Sequence, residues 1–367
     1  MKSQWFDGLT TGRKKVFVAM SGGVDSSVAA ALLKKQGDLD VVGCYMKCWS
    51  AWDQCSVERD VEDARAVAEK LEIPFYIFDF EKEYRERVFN VMAREYAAGR
   101  TPNPDVLCNS EIKFGIFLKK ALALGADFVA TGHYVRAELR FPNIALLAAK
   151  DQNKDQSYFL WRLTQNQLKH VLFPIGDYLK SEVREMAREF GLPTAEKKDS
   201  QGLCFVGKVP FDEFLREILP KNPGPIMTTG GKAIGEHDGL SFYTLGQRHG
   251  IKIGGGMPYY VASKELKTNT LVVTEGNKDE MLFKKEIEIA DTNWIGGDPP
   301  AGGPKFPLKC EARIRYRQPL QKCCIFPLGH AVSKVRVVFD EPQKAATPGQ
   351  SSVFYKDRQL LCGGVIK

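Results

Sequence analysis

The amino-acid sequence predicts an α/β protein in three successive parts: an N-terminal parallel sheet flanked by helices, a small mixed central α+β domain and a C-terminal β-barrel. Three observations lead to this prediction. Strand-like and helix-like segments alternate through the first half of the chain, which is typical of βαβ units. Proline and glycine become more frequent after about Phe205, for example in the segment PKNPGP at 220–225. From Lys284 onward only short β-like runs with Pro and Gly turns are found, which favours a small barrel.

Size and composition agree with this organisation. The chain has 367 residues, enough for two or three domains, and we set their limits at 1–208, 209–280 and 281–367. With 44% hydrophobic and 26% charged residues, the composition is that of an ordinary globular protein. No run of about eighteen apolar residues is present, so we expect no membrane partner. Because residues 1–15 lack the apolar core of a signal peptide, the expected compartment is the cytoplasm.

The order of elements in the N-terminal part places three turns at one edge of the sheet. The predicted strands are 16–20, 41–46, 74–78 and 128–131, and the predicted helices are 28–35, 57–71, 81–98, 111–124 and 157–190. Since parallel sheets bind ligands at the carboxyl ends of their strands, the turns after Met20, Met46 and Thr131 are expected to border one nucleotide site. In the C-terminal part, the predicted strands are 286–289, 310–316, 333–339 and 351–355.

A glycine-rich turn, SGGVDSS at 21–27, lies between the first strand and the first helix. The N-terminus of a helix offers free N–H groups and a partial positive charge to an anion. Gly22 and Gly23 let the backbone approach a ligand closely, while Ser26 and Ser27 add hydroxyl donors. The turn matches neither the Walker A loop nor the GxGxxG dinucleotide motif. We therefore predict a phosphate-binding turn, against the alternative of a turn that merely requires glycine.

The same turn resembles the pyrophosphate loop, SGGxDS, of the PP-loop ATP pyrophosphatases. The resemblance implies an adenine nucleotide alpha hydrolase-like fold, with ATP as a substrate that is cut between its α and β phosphates. AMP is then left on an oxygen of the second substrate. Mg²⁺ is expected with ATP because the phosphate charge must be neutralised, and Asp25 is a candidate ligand, directly or through water. No separate protein-held metal site is predicted.

The stretch GRTPNPDVLCN at 99–109 is the most distinctive segment of the chain. Its two prolines predict a non-helical path, and Asn109 is then expected to cap a helix that begins near Glu111. Cys108 would lie just before that helix N-terminus, a position that favours the thiolate. Asp105 could accept a proton from a reacting base or donate one to it. The alternative is a rigid surface loop with a half-buried cysteine.

A second cysteine of interest is Cys204, in the segment KKDSQGLCF at 197–205. Nearby lysines could stabilise a thiolate or a persulfide there, whereas the alternative is a buried cysteine packed next to Phe205. The chain has nine cysteines without the CxxC spacing of zinc sites. In a cytoplasmic protein we expect them to be thiols.

Over nearly its whole length the chain resembles the tRNA-specific 2-thiouridylase family. The motifs that carry this resemblance occur in one order: AMSGGVDSS, GRTPNPDVLCN followed by EIKF, ATGHY, NKDQSYFL, GLCF, YTLGQR, RYRQ and TPGQ. The resemblance implies a tRNA-uridine 2-sulfurtransferase that uses ATP to adenylate the 2-carbonyl of the wobble uridine, position 34, and replaces that oxygen by sulfur. The implied partners are the anticodon stem-loop of tRNA and a persulfide donor protein of a sulfur relay.

The resemblance also implies roles for individual residues. Cys204 would carry sulfur as a persulfide, and Cys108 would be the partner thiol, with a Cys108–Cys204 disulfide on the way. Such a disulfide requires the two Cα atoms to come within about 7 Å. The implied ATP contacts are Ala19, Met20, Ser21, Gly22, Gly23, Val24, Asp25, Ser26, Met46 and Gly132. The implied tRNA contacts are Asn103, Pro104 and Asp105 at the target base, and His133, Lys154, Asp155, Gln156, Arg315, Tyr316 and Gln350 elsewhere.

A basic run in the C-terminal part points independently to nucleic acid. Arg313, Arg315 and Arg317 alternate along a predicted strand, so they would share one face of it and suit a phosphate backbone. The alternative is a solvated face of a β-domain. The formal net charge of +7 permits a nucleic-acid partner without requiring one.

Some positions depart from the usual family pattern, and two other functions stay open. Cys48, Ser110 and Gln201 replace the residues usual at those positions, which puts local metal or base contacts and the identity of the sulfur donor in doubt. One alternative is a PP-loop ligase or amidotransferase acting on a small molecule, for which the cysteines would be dispensable. The other is a tRNA-binding protein whose ATP site has lost catalysis, against which the intact turn at 21–27 argues.

Overall fold

The computed structural model describes residues 12–50, 57–198, 211–251, 253–254, 257–297, 306–329 and 332–367. Three sheets organise these residues: a five-stranded sheet, a four-stranded sheet and an eight-stranded sheet. The predicted fold class, an N-terminal parallel sheet followed by a mixed central unit and a C-terminal β-barrel, is confirmed. Within the residues described, no helix combines the length and the apolar character needed to cross a bilayer.

The N-terminal sheet is parallel and has the order β3-β2-β1-β4-β7. Its strands are β1 Lys14–Ala19, β2 Leu39–Lys47, β3 Phe75–Asp79, β4 Phe128–Thr131 and β7 Val171–Leu172. Between β1 and β2 runs helix α1, Val24–Gln36, and between β2 and β3 runs helix α2, Val57–Lys70. The chain order reverses between β2 and β4 on either side of β1, and at such a switch point the carboxyl edge of an open sheet forms a crevice.

Apolar side chains fix the layers on both faces of this sheet. Val16, Val18 and the inner residues of α1 belong to one buried cluster, which α2 completes on that face. Phe17 and Ala19 point the other way, into a larger cluster that extends into the central unit. This alternation along β1 is the period-2 pattern of a strand covered on both faces.

Two long helices cover the second face, and each contains a π-helical stretch. Helix α3 spans 81–97 through the segments Glu81–Tyr84, Arg85–Phe89 (π) and Asn90–Ala97. Helix α4 spans 104–123 through the segments Pro104–Leu107, Cys108–Phe117 (π) and Leu118–Ala123. Stretches with i→i+5 hydrogen bonds are rare and frequently occur at functional sites.

The start of α4 corrects the prediction for residues 99–109. The helix begins at Pro104 rather than near Glu111, and its cap is Asn103, whose side chain accepts a hydrogen bond from the Val106 N–H. Proline is well tolerated at the first helical position, because its missing N–H would have no helical partner there. Cys108 therefore lies in the second turn of the helix and not in front of it, so the predicted cap at Asn109 was wrong.

The region 133–190 also differs from the prediction, which was a helical segment over 157–190. It contains a hairpin, β5 Val135–Arg140 and β6 Asn143–Ala148, followed by short helical turns and helix α6. The turns are a 3₁₀ turn Ser157–Leu160 and helix α5 Gln165–Leu168, and α6 is Lys180–Glu189. Thr164 and Gln167 form a capping box that starts α5 afresh, and Pro174 and Gly176 interrupt the chain before α6.

The central unit is a small mixed sheet with one helix. Its elements are helix α7 Phe211–Ile218 and strands β8 Gly224–Thr228, β9 Ala233–His237, β10 Tyr259–Glu265 and β11 Thr270–Glu275. The strand order is β10-β11-β8-β9, in which only the β11–β8 pair is parallel.

The C-terminal unit is an antiparallel barrel of six strands. They are β12 Phe283–Trp294, β13 Leu308–Arg313, β14 Gln321–Pro327, β15 Lys334–Lys344, β16 Ser351–Lys356 and β17 Gln359–Ile366. Pairing between β12 and β17 closes the barrel, and the hairpin β5–β6 continues the same sheet through β17. An apolar cluster contributed by all six strands fills the barrel.

The predicted basic face at Arg313, Arg315 and Arg317 was wrong. Strand β13 ends at Arg313, and Arg317 has a φ of 64°, so the three residues do not follow one strand. Arg313 turns inward instead, to an ion pair with the buried Asp155 at 2.9 Å. Alternation in a sequence implies a common face only while the backbone stays extended.

Candidate active site

The carboxyl ends of β1, β2 and β4 meet at one edge of the parallel sheet. The Met20 N–H, just beyond β1, donates to the Cys44 carbonyl of β2 at 2.7 Å. A Cβ atom placed on Gly132 would lie 2.6 Å from the backbone nitrogen of Ser26, so the end of β4 packs directly on the first turn of α1. The predicted convergence of these strand ends is therefore observed.

The glycine-rich turn is held in shape by its own hydroxyl groups. The Ser26 hydroxyl lies 3.1 Å from both the Ser21 N–H and the Gly23 carbonyl, and the Ser27 hydroxyl donates to the same carbonyl at 2.8 Å. Gly22 has a φ of 71°, and a Cβ there would lie 2.3 Å from the Asp60 carbonyl oxygen. Ser21 is exposed at the rim, whereas Ala19, Met20 and Val24 are buried beneath the turn and Met46 is half-buried. This geometry leaves the start of α1 open towards an anion.

Asp25, in the first turn of α1, is surrounded by two groups that the sequence did not suggest. Its Oδ1 atom accepts hydrogen bonds from the Lys180 ammonium at 2.7 Å and from the Tyr134 hydroxyl at 2.8 Å. The Lys180 side chain is 14% exposed, so a cation is held beside the phosphate-binding turn. Sequence inspection missed it because Lys180 opens a helix that is 155 positions away from Asp25.

Lys197 ties the segment that leads towards Cys204 to the same turn. Its ammonium donates to the Gly22 carbonyl at 3.0 Å and forms ion pairs with Asp60 and Asp63 of α2. Cys204 itself, with Gln201 and the other residues of 199–210, lies outside the described residues. The predicted approach of Cys204 to Cys108 therefore stays a prediction.

Helix α4 presents Asp105 and Cys108 in its first two turns. Burial raises the pKa of the Asp105 carboxyl above its usual range, an effect that the nearby Lys113 ammonium opposes. Cys108 is 7% exposed. The Asn109 side chain donates to the Asp105 carbonyl at 3.0 Å, while its own buried oxygen has no hydrogen-bond partner among the described residues. A ligand that donates a hydrogen bond would satisfy that oxygen.

His133 joins the end of β4 to helix α4. Its Nδ1 atom forms a hydrogen bond of 2.7 Å with the Thr131 hydroxyl. The centroid of its ring lies 5.8 Å from that of the Phe114 ring of α4. Burial lowers the pKa of His133 well below its usual value, and the Lys113 ammonium lowers it further. The Lys113 ammonium thus acts on the pKa of both Asp105 and His133.

The remaining predicted tRNA residues are divided between surface and interior. Lys154 and Gln156 are half-buried, and the Gln156 side chain accepts from the Tyr134 N–H at 2.9 Å. Asp155 is buried and accepts from the Ser157 N–H and hydroxyl in addition to its ion pair with Arg313. Both carboxylate oxygens of Asp155 are thus already engaged by the protein.

Arg315 and Tyr316 lie on the turn after β13. Arg315 is exposed, but its guanidinium donates to the Ala345 carbonyl at 2.7 Å and to the Leu245 carbonyl of the central unit at 3.4 Å. The Tyr316 ring packs 4.4 Å from the Phe159 ring, in a tilted arrangement. Both rings are half-buried and pack against the large apolar cluster.

Gln350, also predicted to touch tRNA, contacts the stretch that precedes helix α4. Its side-chain amide donates to the Thr101 and Pro102 carbonyls, each at 3.0 Å. Asn103, the cap of helix α4, follows directly. The structure thus places Asn103, Pro104, Asp105 and Cys108 in succession at the start of α4, with Gln350 behind them, while His133 contacts Phe114 further along the same helix.

One cavity in the described part of the chain lies away from these residues. It has a volume of about 490 Å³ and opens at the amino ends of β1 and β2, where Arg13, Lys15 and Asp40 line it. None of the residues predicted for catalysis, ATP or tRNA lines it.

Family models match the chain in three consecutive regions. They are described as a tRNA methyl transferase HUP domain over residues 14–208, a tRNA methyl transferase PRC-barrel domain over 212–275 and an aminomethyltransferase beta-barrel domain over 284–366.

Curated relatives are similar to nearly the whole chain. The tRNA-specific 2-thiouridylase MnmA of Geobacillus thermodenitrificans is 49% identical over 356 residues, which are 96% of this chain and 94% of the relative. The protein of the same name from Nitrosomonas eutropha is 49% identical over 362 residues, 96% of this chain and 98% of the relative. That of Burkholderia pseudomallei is 49% identical over 364 residues, 97% of this chain and 94% of the relative.

Solved structures give weaker similarities. The U34-tRNA thiolase NcsA from Methanococcus maripaludis matches with a TM-score of 0.36 and 17% identity, covering 57% of this chain and 65% of that protein. An NH3-dependent NAD synthetase from Campylobacter jejuni matches with a TM-score of 0.31 and 18% identity, covering 53% of this chain and 71% of that protein. Neither similarity is close enough to bear on function.

Proposed function

Because the chain belongs to the family of tRNA-specific 2-thiouridylases, we propose that it is an ATP-dependent tRNA-uridine 2-sulfurtransferase. It adenylates the 2-oxygen of the wobble uridine, position 34, and replaces that oxygen by sulfur, releasing AMP and pyrophosphate. The observation that carries this proposal is a continuous series of contacts from the glycine-rich turn at 21–27 to helix α4. Ser26 packs on Gly132, His133 follows Gly132, and His133 contacts Phe114 of the helix that bears Asp105 and Cys108.

The first half-reaction needs a site that binds ATP and orients its α phosphate. We assign the phosphates to the turn at 21–27, whose backbone N–H groups and helix N-terminus stabilise negative charge. Lys180 is added to the predicted set, because its ammonium is held 2.7 Å from Asp25 at the mouth of the turn. The uridine 2-oxygen attacks the α phosphorus and pyrophosphate leaves, so that the poor carbonyl electrophile acquires a good leaving group. The predicted ATP contacts stay as proposed.

Mg²⁺ is proposed to arrive with ATP. Asp25 is the carboxylate of the turn itself, and one carboxylate together with phosphate oxygens and waters is a usual set of Mg²⁺ ligands. The ion would neutralise phosphate charge there. Asp25 also holds Lys180, so the turn offers both a carboxylate and an ammonium to the same phosphates.

The second half-reaction needs sulfur and two thiols. We propose that Cys204 receives sulfur as a persulfide from a donor protein of a sulfur relay, and that its terminal sulfur attacks C2 of the adenylated uridine. Attack of Cys108 on the Cys204 sulfur then forms the Cys108–Cys204 disulfide, leaves sulfur on C2 and lets AMP depart. An external thiol must reduce the disulfide before the next cycle. We propose that Asp105, whose pKa is raised by burial, donates a proton near the base.

The remaining parts of the proposal concern RNA, organisation and compartment. Asn103, Pro104 and Asp105 are proposed to contact the target base, which must leave its stack to be modified. His133, Lys154, Gln156, Arg315, Tyr316 and Gln350 are proposed to contact the anticodon stem-loop, as is Asp155, which would first have to leave its present partners. We keep the domain limits 1–208, 209–280 and 281–367 and a cytoplasmic location as parts of the same proposal.

The test is an incubation of the protein with ATP, Mg²⁺, a persulfide source and unmodified tRNA, followed by mass spectrometry of the nucleosides. We expect 2-thiouridine from the wild type and none from Cys108→Ser or Cys204→Ser. Cys324→Ser is the matched control, because Cys324 is a half-buried thiol of strand β14 in the barrel.

Two outcomes would contradict the proposal. AMP formation that is independent of tRNA and of both cysteines would favour a ligase or amidotransferase acting on a small molecule. Tight tRNA binding without any AMP formation would favour a binding protein that has lost catalysis.

A further inference from the structure

The stretch 99–103, which leads into the catalytic helix α4, is held by residues of the other two units. The Thr101 N–H donates to the Pro348 carbonyl of the barrel at 2.9 Å, and the Thr101 hydroxyl lies 3.3 Å from that of Thr244 in the central unit. Lys264 of strand β10 donates to the Gly99 carbonyl at 3.0 Å. The path of this stretch is therefore set by tertiary contacts and not by its own sequence alone.

The barrel turn 347–350 makes the closest of these contacts. Both Gln350 amide hydrogens are directed at carbonyls of the stretch, those of Thr101 and Pro102. Gly349 has a φ of 93°, and a Cβ there would lie 2.9 Å from the Thr101 carbonyl oxygen. The two backbones thus approach more closely than any residue with a side chain would allow.

The turn is itself anchored to the barrel wall. The Gly349 N–H donates to the Ile366 carbonyl and the Ile366 N–H donates to the Gln350 carbonyl, both at 2.9 Å. The next residue, Ser351, accepts from the Tyr158 hydroxyl at its carbonyl and from the Trp161 ring nitrogen at its hydroxyl. A displacement of the turn would therefore be transmitted to the stretch 99–103.

We propose that Gln350 is a positioning residue for the catalytic helix. Its two donated hydrogen bonds fix the carbonyls immediately before Asn103, the helix cap, and thereby set where Asp105 and Cys108 stand relative to the nucleotide turn. The catalytic meaning of this role rests on the proposed function, but the mechanical link does not.

This role differs from a plain RNA contact in the hydrogen-bonding groups that it leaves free on the Gln350 side chain. With both amide hydrogens used on the protein, only the Gln350 side-chain oxygen remains to face a nucleotide. A positioning role predicts effects in the absence of RNA, whereas an RNA contact predicts none.

The test compares Gln350→Glu, which keeps the size of the side chain but removes its donors, with the wild type. Gln343→Glu is the matched control, because Gln343 is a buried barrel glutamine that donates to the Glu341 carbonyl within its own unit. Amide hydrogen exchange of the peptide covering 100–107 is measured without RNA. Affinity for tRNA and the single-turnover rate of thiolation at saturating tRNA are measured separately.

We expect Gln350→Glu to accelerate exchange in this peptide by about tenfold or more, because two hydrogen bonds that restrain it are lost. Thiolation should slow by a similar factor while tRNA affinity changes little, and Gln343→Glu should alter neither. Gln350→Met, which lacks both donors and charge, should behave like Gln350→Glu. Gly349→Ala should also accelerate exchange, because it pushes the same backbones apart.

Unchanged exchange in Gln350→Glu and Gln350→Met, with weaker tRNA binding and a normal rate at saturation, would overturn the proposal and leave Gln350 as an RNA contact. If the wild type made no thiouridine, the proposed function would fail, while the exchange measurement would still decide whether the turn positions the helix.

Discussion

At the scale of single residues, burial disfavours the charged forms of two ionisable groups, Asp105 in the first turn of helix α4 and His133 after strand β4. The same desolvation raises the pKa of the Asp105 carboxyl and lowers the pKa of the His133 imidazole, because it disfavours the charged form of each. A protonated carboxyl can donate to a developing charge on the base, and a neutral imidazole adds no cation there.

The environment of Asp105 predicts that Asp105→Asn separates stability from activity. Since the pKa of Asp105 is raised in the folded protein, that protein binds more protons than the unfolded chain above the usual carboxyl range, and stability falls as pH rises through the shifted pKa. The Asn variant lacks this loss, so its advantage in unfolding free energy should grow as pH rises above the usual carboxyl pKa of about 3.9. Thiolation by the variant should fall by about 100-fold or more if the carboxyl transfers a proton.

Asp127→Asn is the control, measured by urea unfolding over the same pH range. Although burial opposes it, hydrogen bonds from the Lys15 N–H and the Lys14 ammonium lower the pKa of Asp127. That carboxylate therefore stabilises the fold above the usual carboxyl pKa, and the benefit is lost as pH falls. The two variants should shift stability in opposite directions with pH; parallel pH profiles would contradict the assigned environments.

At the scale of elements, the sequence predicted correctly those helices, strands and turns that are determined by neighbouring residues. The strand–turn–helix at β1 and α1 follows from an apolar run, adjacent glycines and a 3.6-residue period, and its place at the sheet edge follows from parallel topology. The start of α4 could not be read in this way, because proline both ends helices and opens them, and only the bond from Val106 to Asn103 distinguishes the two cases. The partnership of Lys180 with Asp25 is purely tertiary.

The contact between β4 and α1 predicts that Gly132→Ala impairs ATP use without unfolding the sheet. The added methyl would lie 2.6 Å from the Ser26 nitrogen, so the first turn of α1 must move. Its N–H groups would then no longer point towards the phosphates of ATP. Misplaced donors of this kind cost about 100-fold in rate. We expect a comparable loss of tRNA-dependent pyrophosphate release, measured with far-ultraviolet circular dichroism as a check on folding.

Gly230→Ala provides the comparison, since a Cβ at Gly230 would meet only the Thr228 hydroxyl at 3.7 Å, an ordinary contact. Its pyrophosphate release should match the wild type. If Gly132→Ala did so as well, the end of β4 would have no part in forming the ATP site.

At the scale of the whole molecule, the units are joined through elements that the sequence assigned to only one of them. The hairpin β5–β6 belongs to the N-terminal part in sequence, yet Leu146 and Leu147 pair with β17 of the barrel. Hairpin residues carry only a short alternating pattern, which does not reveal a partner more than two hundred positions away. Close to this pairing of the hairpin with the barrel, the buried Asp155 forms an ion pair with Arg313, whose side chain is only 13% exposed.

This buried ion pair predicts the effect of changing Arg313 and Asp155. Removing one partner leaves a charge buried without compensation, so Arg313→Met should lower the free energy of unfolding by roughly 3 to 5 kcal/mol, measured by urea denaturation. Adding Asp155→Asn to Arg313→Met should recover most of this loss, because the amide oxygen can still accept from the Ala149 and Ser157 N–H groups. Arg317→Met, on the exposed turn, should have little effect on stability.

Because Arg313 is turned inward, the salt dependence of tRNA binding should be the same in Arg313→Met as in the wild type, whereas a phosphate contact would reduce its slope by about one. Additive losses in the double variant would show that contacts other than this ion pair hold the two units together. A reduced salt slope in Arg313→Met would show that Arg313 faces the RNA.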